Sequence, residues 1–193
     1  MKKLIYFLAF IIVLAACSKS DEISNEQTNN KLDPVYPAEI ETTTDNFYYR
    51  LFTEKDVYDE YGETAIFAEL TYIGDEDSIE IYHSASPFNF LIEERVRNFK
   101  IDYSMDQPLI VSTLQKDIPM REKYTFSGGY SDTDDVDYIE FIQTIINKGF
   151  PIGNYVIHGS AQFHIKNTLD VNDPNTYNMS GKIGFSVVNN PNH

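Results

Sequence analysis

Through most of the chain after residue 64, apolar and polar side chains alternate with a period of two, and few folds accept that pattern. In NYVIHGSAQFHI, Tyr155, Ile157, Ala161, Phe163 and Ile165 fall on one face, with Val156, His158, Ser160, Gln162 and His164 opposite. In ETAIFAELTYIG, Ile66, Ala68, Leu70 and Tyr72 face away from Phe67, Glu69 and Thr71. The same spacing groups Ile79 with Ile81, then Phe88, Phe90 and Ile92, and finally Ile183, Phe185 and Val187. Turn-forming clusters (GDEDS, SGGYSDTDD, DPN) separate these runs. A strand with one apolar face must bury it, and antiparallel strands do so by stacking one sheet on another. The expected fold is therefore all-β, an antiparallel sandwich.

One stretch breaks the period. In DDVDYIEFIQTIINKGFP, Tyr138, Phe141, Ile142 and Ile145 follow the three-and-four spacing of a helix. Asp134 or Asp135 can cap its start, Lys148 complements the negative end of the helix dipole, and Gly149 can end it. The spacing predicts one short helix over 137–148, packed across one end of the sandwich. A further strand is the alternative, since Ile139, Phe141 and Ile145 are also good strand formers.

The N-terminus, MKKLIYFLAFIIVLAACSKSDE, sets two lysines before thirteen apolar residues, 4–16. At about 1.5 Å per residue that run covers roughly 20 Å as a helix, short of a ~30 Å hydrocarbon core. A basic start, a short apolar stretch and small residues at its end are the marks of an export signal. Leu14-Ala15-Ala16-Cys17 resembles the lipobox of bacterial lipoproteins. The resemblance implies that the Cys17 thiol receives a diacylglyceryl group and that the chain is cut just before it. The expected location is then extracytoplasmic, with the protein lipid-anchored to the bacterial cell membrane. Cys17 is the only cysteine, so no disulfide framework and no cysteine-based zinc site is available.

From Ser18 the chain reads SKSDEISNEQTNNKLDPVYPAEIETTT, rich in polar residues and poor in large apolar ones. Such a stretch buries too little surface to offset its ordering entropy. The organisation expected is a signal peptide over 1–16, the acylated cysteine and a flexible tether over 17–44, and the sandwich over 45–193. The whole chain carries a net charge of −15; without Lys2 and Lys3, thirteen basic residues face thirty acidic ones, a net of −17. A surface of that sign repels nucleic acid, which is excluded as a partner.

Three stretches carry a second resemblance: AIFAELTYIGDEDSIEIYHSASPFNFLIEE, then MREKYTFSGGYSD, then FPIGNYVIHGSAQF, in which Pro151, Gly153 and Tyr155 form a turn that launches a late strand. Together, over about 65–165, they are similar to the immunoglobulin-like domain of the bacterial intracellular proteinase inhibitor type, the BsuPI domain, which also occurs on lipoproteins. The resemblance implies an immunoglobulin-like sandwich, with the helical stretch as an insertion, and it carries over no catalytic residue. The family segment before the Pro-x-Gly turn often holds a tryptophan; this chain has none, and Tyr130 or Tyr124 fills the place.

The chemistry of the remaining residues points away from an enzyme. His158 and His164 share a strand face about 20 Å apart, too far to bind one metal ion, and read as solvated outer-face residues. No nucleophile-elbow, zinc-protease, phosphate-loop or dinucleotide fingerprint occurs, and no cofactor is called for. The acidic run containing Asp132, Asp134, Asp135 and Asp137 has oxygen ligands suited to calcium, but Asp137 stands where a calcium loop needs glycine. A solvated, helix-capping loop is the better account of it, so no metal site is expected. The aromatics are more suggestive. FYYRLF places Phe47, Tyr48, Tyr49 and Phe52 on both faces of one strand, and Tyr58 and Tyr61 follow closely. They read either as an edge strand half covered by the helix or tether, or as an exposed strip that grips a partner. The function expected is a non-enzymatic binding module for a protein or peptide partner; the alternative, implied by the resemblance alone, is a proteinase inhibitor, and an envelope enzyme whose site no motif marks ranks third.

Overall fold

The computed structural model describes residues 36–165 and 175–189. The signal segment, Cys17 and most of the expected tether lie outside the described residues. Within them the chain runs through β1 (Glu39–Thr44), β2 (Phe47–Thr53), β3 (Val57–Asp59), β4 (Ile66–Tyr72), β5 (Ser78–His83) and β6 (Phe88–Glu94). It continues through β7 (Phe99–Ile101), β8 (Ile110–Gln115), β9 (Met120–Lys123), helix α1 (Val136–Lys148), β10 (Gly153–His164) and β11 (Thr176–Val188).

These elements form an all-β sandwich with one helix. One sheet has the order β1-β2-β4-β9, antiparallel throughout. The other is built on the long β10–β11 ladder, with β3 beyond β11. On its other side β10 takes two partners end to end: β6 along 155–161 and β5 at His164. Strand β7 extends the sheet beyond β6, and β8 extends it beyond β5.

The inner faces are those the alternation selects. Ile66, Ala68 and Leu70, Phe88, Phe90 and Ile92, and Tyr155, Ile157, Ala161 and Phe163 are all buried. Two glycines let the sheets close up. Gly159 and Gly181 face each other in register on β10 and β11. A methyl group on the first would collide with Leu51, and one on the second with Ile40.

Three expectations need correction. The last six residues of the expected tether form β1, paired with β2 from Glu39↔Phe52 to Thr44↔Phe47. An edge strand needs few large apolar side chains, because its ladder and one inward residue, here Ile40, are enough to hold it. The sandwich is not wholly antiparallel either, since β3 runs parallel to β11. Strand β3 lies on the β2–β4 connection, which crosses to the opposite sheet and back, so the crossing sets its direction. Finally, β2 is not an edge strand but lies between β1 and β4.

The 136–148 segment is a helix, not a further strand. Its buried residues are Phe141, Ile142 and Ile145, with Tyr138 packed beside them. Asp135 occupies the N-cap position, yet its side chain makes no capping hydrogen bond; Asp134 instead accepts one from the Ser131 N–H at 2.6 Å. Gly149 ends the helix in a left-handed conformation (φ 107°) and donates its N–H to the Ile145 carbonyl. The chain then turns into β10 through a hydrogen-bonded corner, in which the Tyr155 hydroxyl donates to the Pro151 carbonyl at 2.7 Å. A tyrosine that bonds back to the backbone at the start of a late strand is a recurrent lock of immunoglobulin-like sandwiches. Tyr124 is buried against Phe90 with ring centres 5.7 Å apart, whereas Tyr130 is exposed.

Candidate binding cleft beside the helix

Tyr61 is the residue from which the candidate site is best built. It has a positive φ of 60°, a conformation that a bulky L-residue adopts at a cost of about 1–3 kcal/mol. Its backbone N–H donates to the Phe150 carbonyl at 3.1 Å, and the Lys148 ammonium sits 5.4 Å from its ring centre. Gly149, just past the helix, lies against the Tyr61 backbone. The end of the helix therefore holds the 60–61 turn in place, and the Tyr61 ring stays 41% exposed. The carboxylate of Glu60, within hydrogen-bond reach, pushes the phenol above its ordinary pKa.

Between this turn and the first half of α1 opens a cleft of about 860 Å³. Glu60 and Tyr61 form one wall, while Asp135, Asp137, Glu140 and Thr144 form the other. The floor is apolar, from Phe99, Phe141 and Pro151. Phe99 stacks edge-on against Tyr138 and lies 5.2 Å from Phe141, so the floor is fixed by the contact of helix and β7.

Among the described residues Arg97 is the one cation lining the cleft, and it is already engaged. Its guanidinium donates to the Ile152 carbonyl at 3.1 Å, lies 3.5 Å from the Glu94 carboxylate and covers the Phe141 ring. Glu94 has no exposed surface and also accepts the backbone N–H groups of Val96 and Arg97. That buried carboxylate organises the β6–β7 turn, and a methyl group at Gly153 would collide with it. Four carboxylates thus face the cleft against one guanidinium that is committed to the turn.

The expected aromatic strip does not exist as an exposed surface. Phe47, Tyr49 and Tyr58 are core residues, and the Tyr58 hydroxyl bonds Thr53 Oγ1 at 2.6 Å and the Ala65 carbonyl at 3.1 Å. Phe52 does lie on the outer face, but Arg50 and Arg121 stack over it at 4.1 and 5.1 Å, and Phe67 lies beside it. The arginines that cover it are themselves paired with Glu39 and Glu69. Tyr48 is half-buried on the same sheet, where burial and the Glu41 carboxylate raise its pKa to about 12. Of the six aromatics, only Tyr61 reaches the cleft.

The histidines are not simply solvated. His158 is half-buried, with Nε2 3.4 Å from a Glu93 carboxylate oxygen on the neighbouring strand, a charge contact without hydrogen-bond geometry. Burial alone would raise the Glu93 carboxyl, but His158, Lys100 and Arg95 outweigh it and hold the group below its ordinary value. His164 Nδ1 meets Thr176 Oγ1 at 2.8 Å. His83 and His164 both line a second hollow of about 440 Å³ at the far end of β10. Among the described residues, no three His, Cys, Asp or Glu side chains converge in a way that could hold a metal ion. In the acidic loop the Asp134 carboxylate serves the turn, while Asp135 and Asp137 face the cleft.

Sequence reasoning missed Glu60, Arg97, Phe99 and Glu140. They come from three separate segments, and no spacing rule links them. No family model matches this chain, and neither a curated protein nor a solved structure matches it.

Proposed function

We propose that this chain is an extracytoplasmic bacterial lipoprotein, anchored through a diacylated Cys17, whose sandwich is a non-enzymatic binding module for a protein or peptide partner. The cleft beside α1 carries the reading. Its aromatic floor suits the methylene stem of a lysine or arginine side chain, and its carboxylate walls suit the charged head. Such a site recognises a cationic side chain on a polypeptide surface, and the chain's net charge of −15 steers partners of that sign toward it.

The test is titration of the full chain with blocked pentalysine and blocked pentaglutamate, followed by amide shifts in an NMR spectrum at about physiological salt. Pentalysine should shift Tyr61, Asp137 and Glu140, and the Asp137→Lys/Glu140→Lys double variant should weaken it at least about tenfold. Equal binding to the double variant, or shifts spread evenly over the acidic surface, would sink the cleft as the site. The proteinase-inhibitor alternative rests on the likeness of the 151–155 turn, which bears on fold more than activity. Stoichiometric inhibition of an extracellular serine protease would favour it, and slow digestion without inhibition would exclude it.

A further inference from the structure

A sandwich must protect the open ends of its sheets, because an end strand presents unpaired N–H and C=O groups to any passing chain. Four of the five ends here carry charged guards. Strand β1 has Glu39 and Glu41, β9 has Arg121, Glu122 and Lys123, β3 has Asp59, and β7 has Lys100. The fifth, β8, reads IVSTLQ, with no charge and no proline over its whole length.

Strand β8 pairs with β5 on one side; on the other, β4 closes only the far end, where Tyr72 bridges Lys116 and accepts the Asp117 N–H, and among the described residues no strand pairs with 110–114. Leu109, Ile110 and Val111, at its start, are 49%, 37% and 49% exposed. Three consecutive exposed apolar residues at an unguarded edge are a fault in a solitary domain unless something docks there. The surroundings are acidic. Asp106 precedes the strand, Asp117 follows it, Glu80 lies opposite Thr113 on β5, and the Lys116 N–H donates to the Asp77 carbonyl in the neighbouring acidic turn.

We propose that the outer edge of β8 is a strand-addition site for an extended segment of a partner protein flanked by lysine or arginine. The incoming strand completes the ladder with its own backbone groups. Its β-branched side chains, alternating between the two faces, flank Ile110 on one and Val111 on the other, and its flanking cations meet the acids around β8. A second copy of this chain is a poorer occupant, because it brings the same acidic surroundings to the same edge. This site is separate from the cleft beside α1, which neither β8 nor its neighbour β5 lines.

The probe is a blocked ten-residue peptide of alternating valine and threonine with two lysines at each end, added to the full chain labelled for NMR. The amides of 110–115 should shift and exchange with solvent more slowly, by at least about tenfold at saturation. The Val111→Lys/Thr113→Lys variant, altered at two exposed positions, should keep its melting temperature and lose at least about tenfold in affinity. The Asp137→Lys/Glu140→Lys variant should bind the peptide as the natural chain does, which separates this site from the cleft. Absence of binding, perturbation at β1 or β9 in place of β8, or equal affinity for a peptide with glutamates replacing the lysines overturns the proposal. A dimer in sedimentation, abolished by Val111→Lys/Thr113→Lys, overturns it in favour of a second copy.

Discussion

His83 is a buried titratable side chain of the second sheet, held at both ring nitrogens. Its ring is buried, with Nδ1 2.7 Å from the Ser84 carbonyl and Nε2 2.8 Å from Ser112 Oγ. A carbonyl only accepts, so Nδ1 carries a proton, and in the neutral imidazole Nε2 accepts from the serine hydroxyl. Burial lowers the pKa of this histidine, and the Ser84 bond and the Glu122 charge offset that only in part. The folded chain therefore keeps His83 neutral at a pH where the unfolded chain already protonates it. Stability is full above the unfolded value of about 6.5 and falls as the pH drops below it. A His83→Gln variant should show a flatter loss between pH 7.5 and 5.5 in urea midpoints. Loss from carboxylates such as Glu93 belongs to lower pH, because their folded values are depressed below the ordinary carboxylate range. An identical slope in the variant would place the proton uptake elsewhere.

At the scale of elements, the corner between α1 and β10 ties the helix to the sandwich. The Tyr155 hydroxyl is the donor that pairs the buried Pro151 carbonyl, and its ring stacks on Phe185 at 5.0 Å. Tyr155→Phe keeps the ring and leaves that carbonyl unpaired, which should cost about 1–3 kcal/mol in a denaturant titration. An unchanged midpoint would mean that water reaches the carbonyl. The strands with one apolar face were legible in the sequence because their period of two is a direct projection of the sandwich interior. The helix was legible through Tyr138, Phe141, Ile142 and Ile145. Strand β1 was not, because Glu39, Glu41 and three threonines look like tether until a neighbour supplies the ladder. The outward Phe52 of β2 was misread for a related reason: its cover joins Arg50 of its own strand to Arg121, distant in sequence, and Glu69 of β4 pairs with both. The cleft was illegible, since its walls meet only after 60–61, 97–99 and 135–144 are folded together.

For the molecule as a whole, the proposed anchor and the sandwich are separable parts, and each has its own test. Cys17→Ser removes the thiol that would be acylated. It should move the protein from the membrane fraction to the soluble fraction, with no diacylglyceryl mass on the N-terminal peptide. The melting temperature of the sandwich should not change, because Cys17 precedes the first strand by more than twenty residues. Continued membrane association of the serine variant would mean that something other than lipid holds the protein there. No helix among the described residues is long and apolar enough to cross a bilayer.

The position of β1 has a mechanical consequence. Were Cys17 the anchor proposed above, tension along the chain would reach the described residues at 36–38, where the Pro37 carbonyl accepts the Gly184 N–H of β11 and the Ala38 carbonyl accepts that of Thr53, and then β1. That strand is an end strand, held by six residue pairs to β2 and by Ile40 seated over Gly181. Peeling it away breaks its own ladder and the Pro37–Gly184 bond that ties the preceding residues to β11. The first resistance to such a pull would be one bond to the edge of β11 and one short threonine-rich strand, and the pairing of β10 with β11 at the centre need not break.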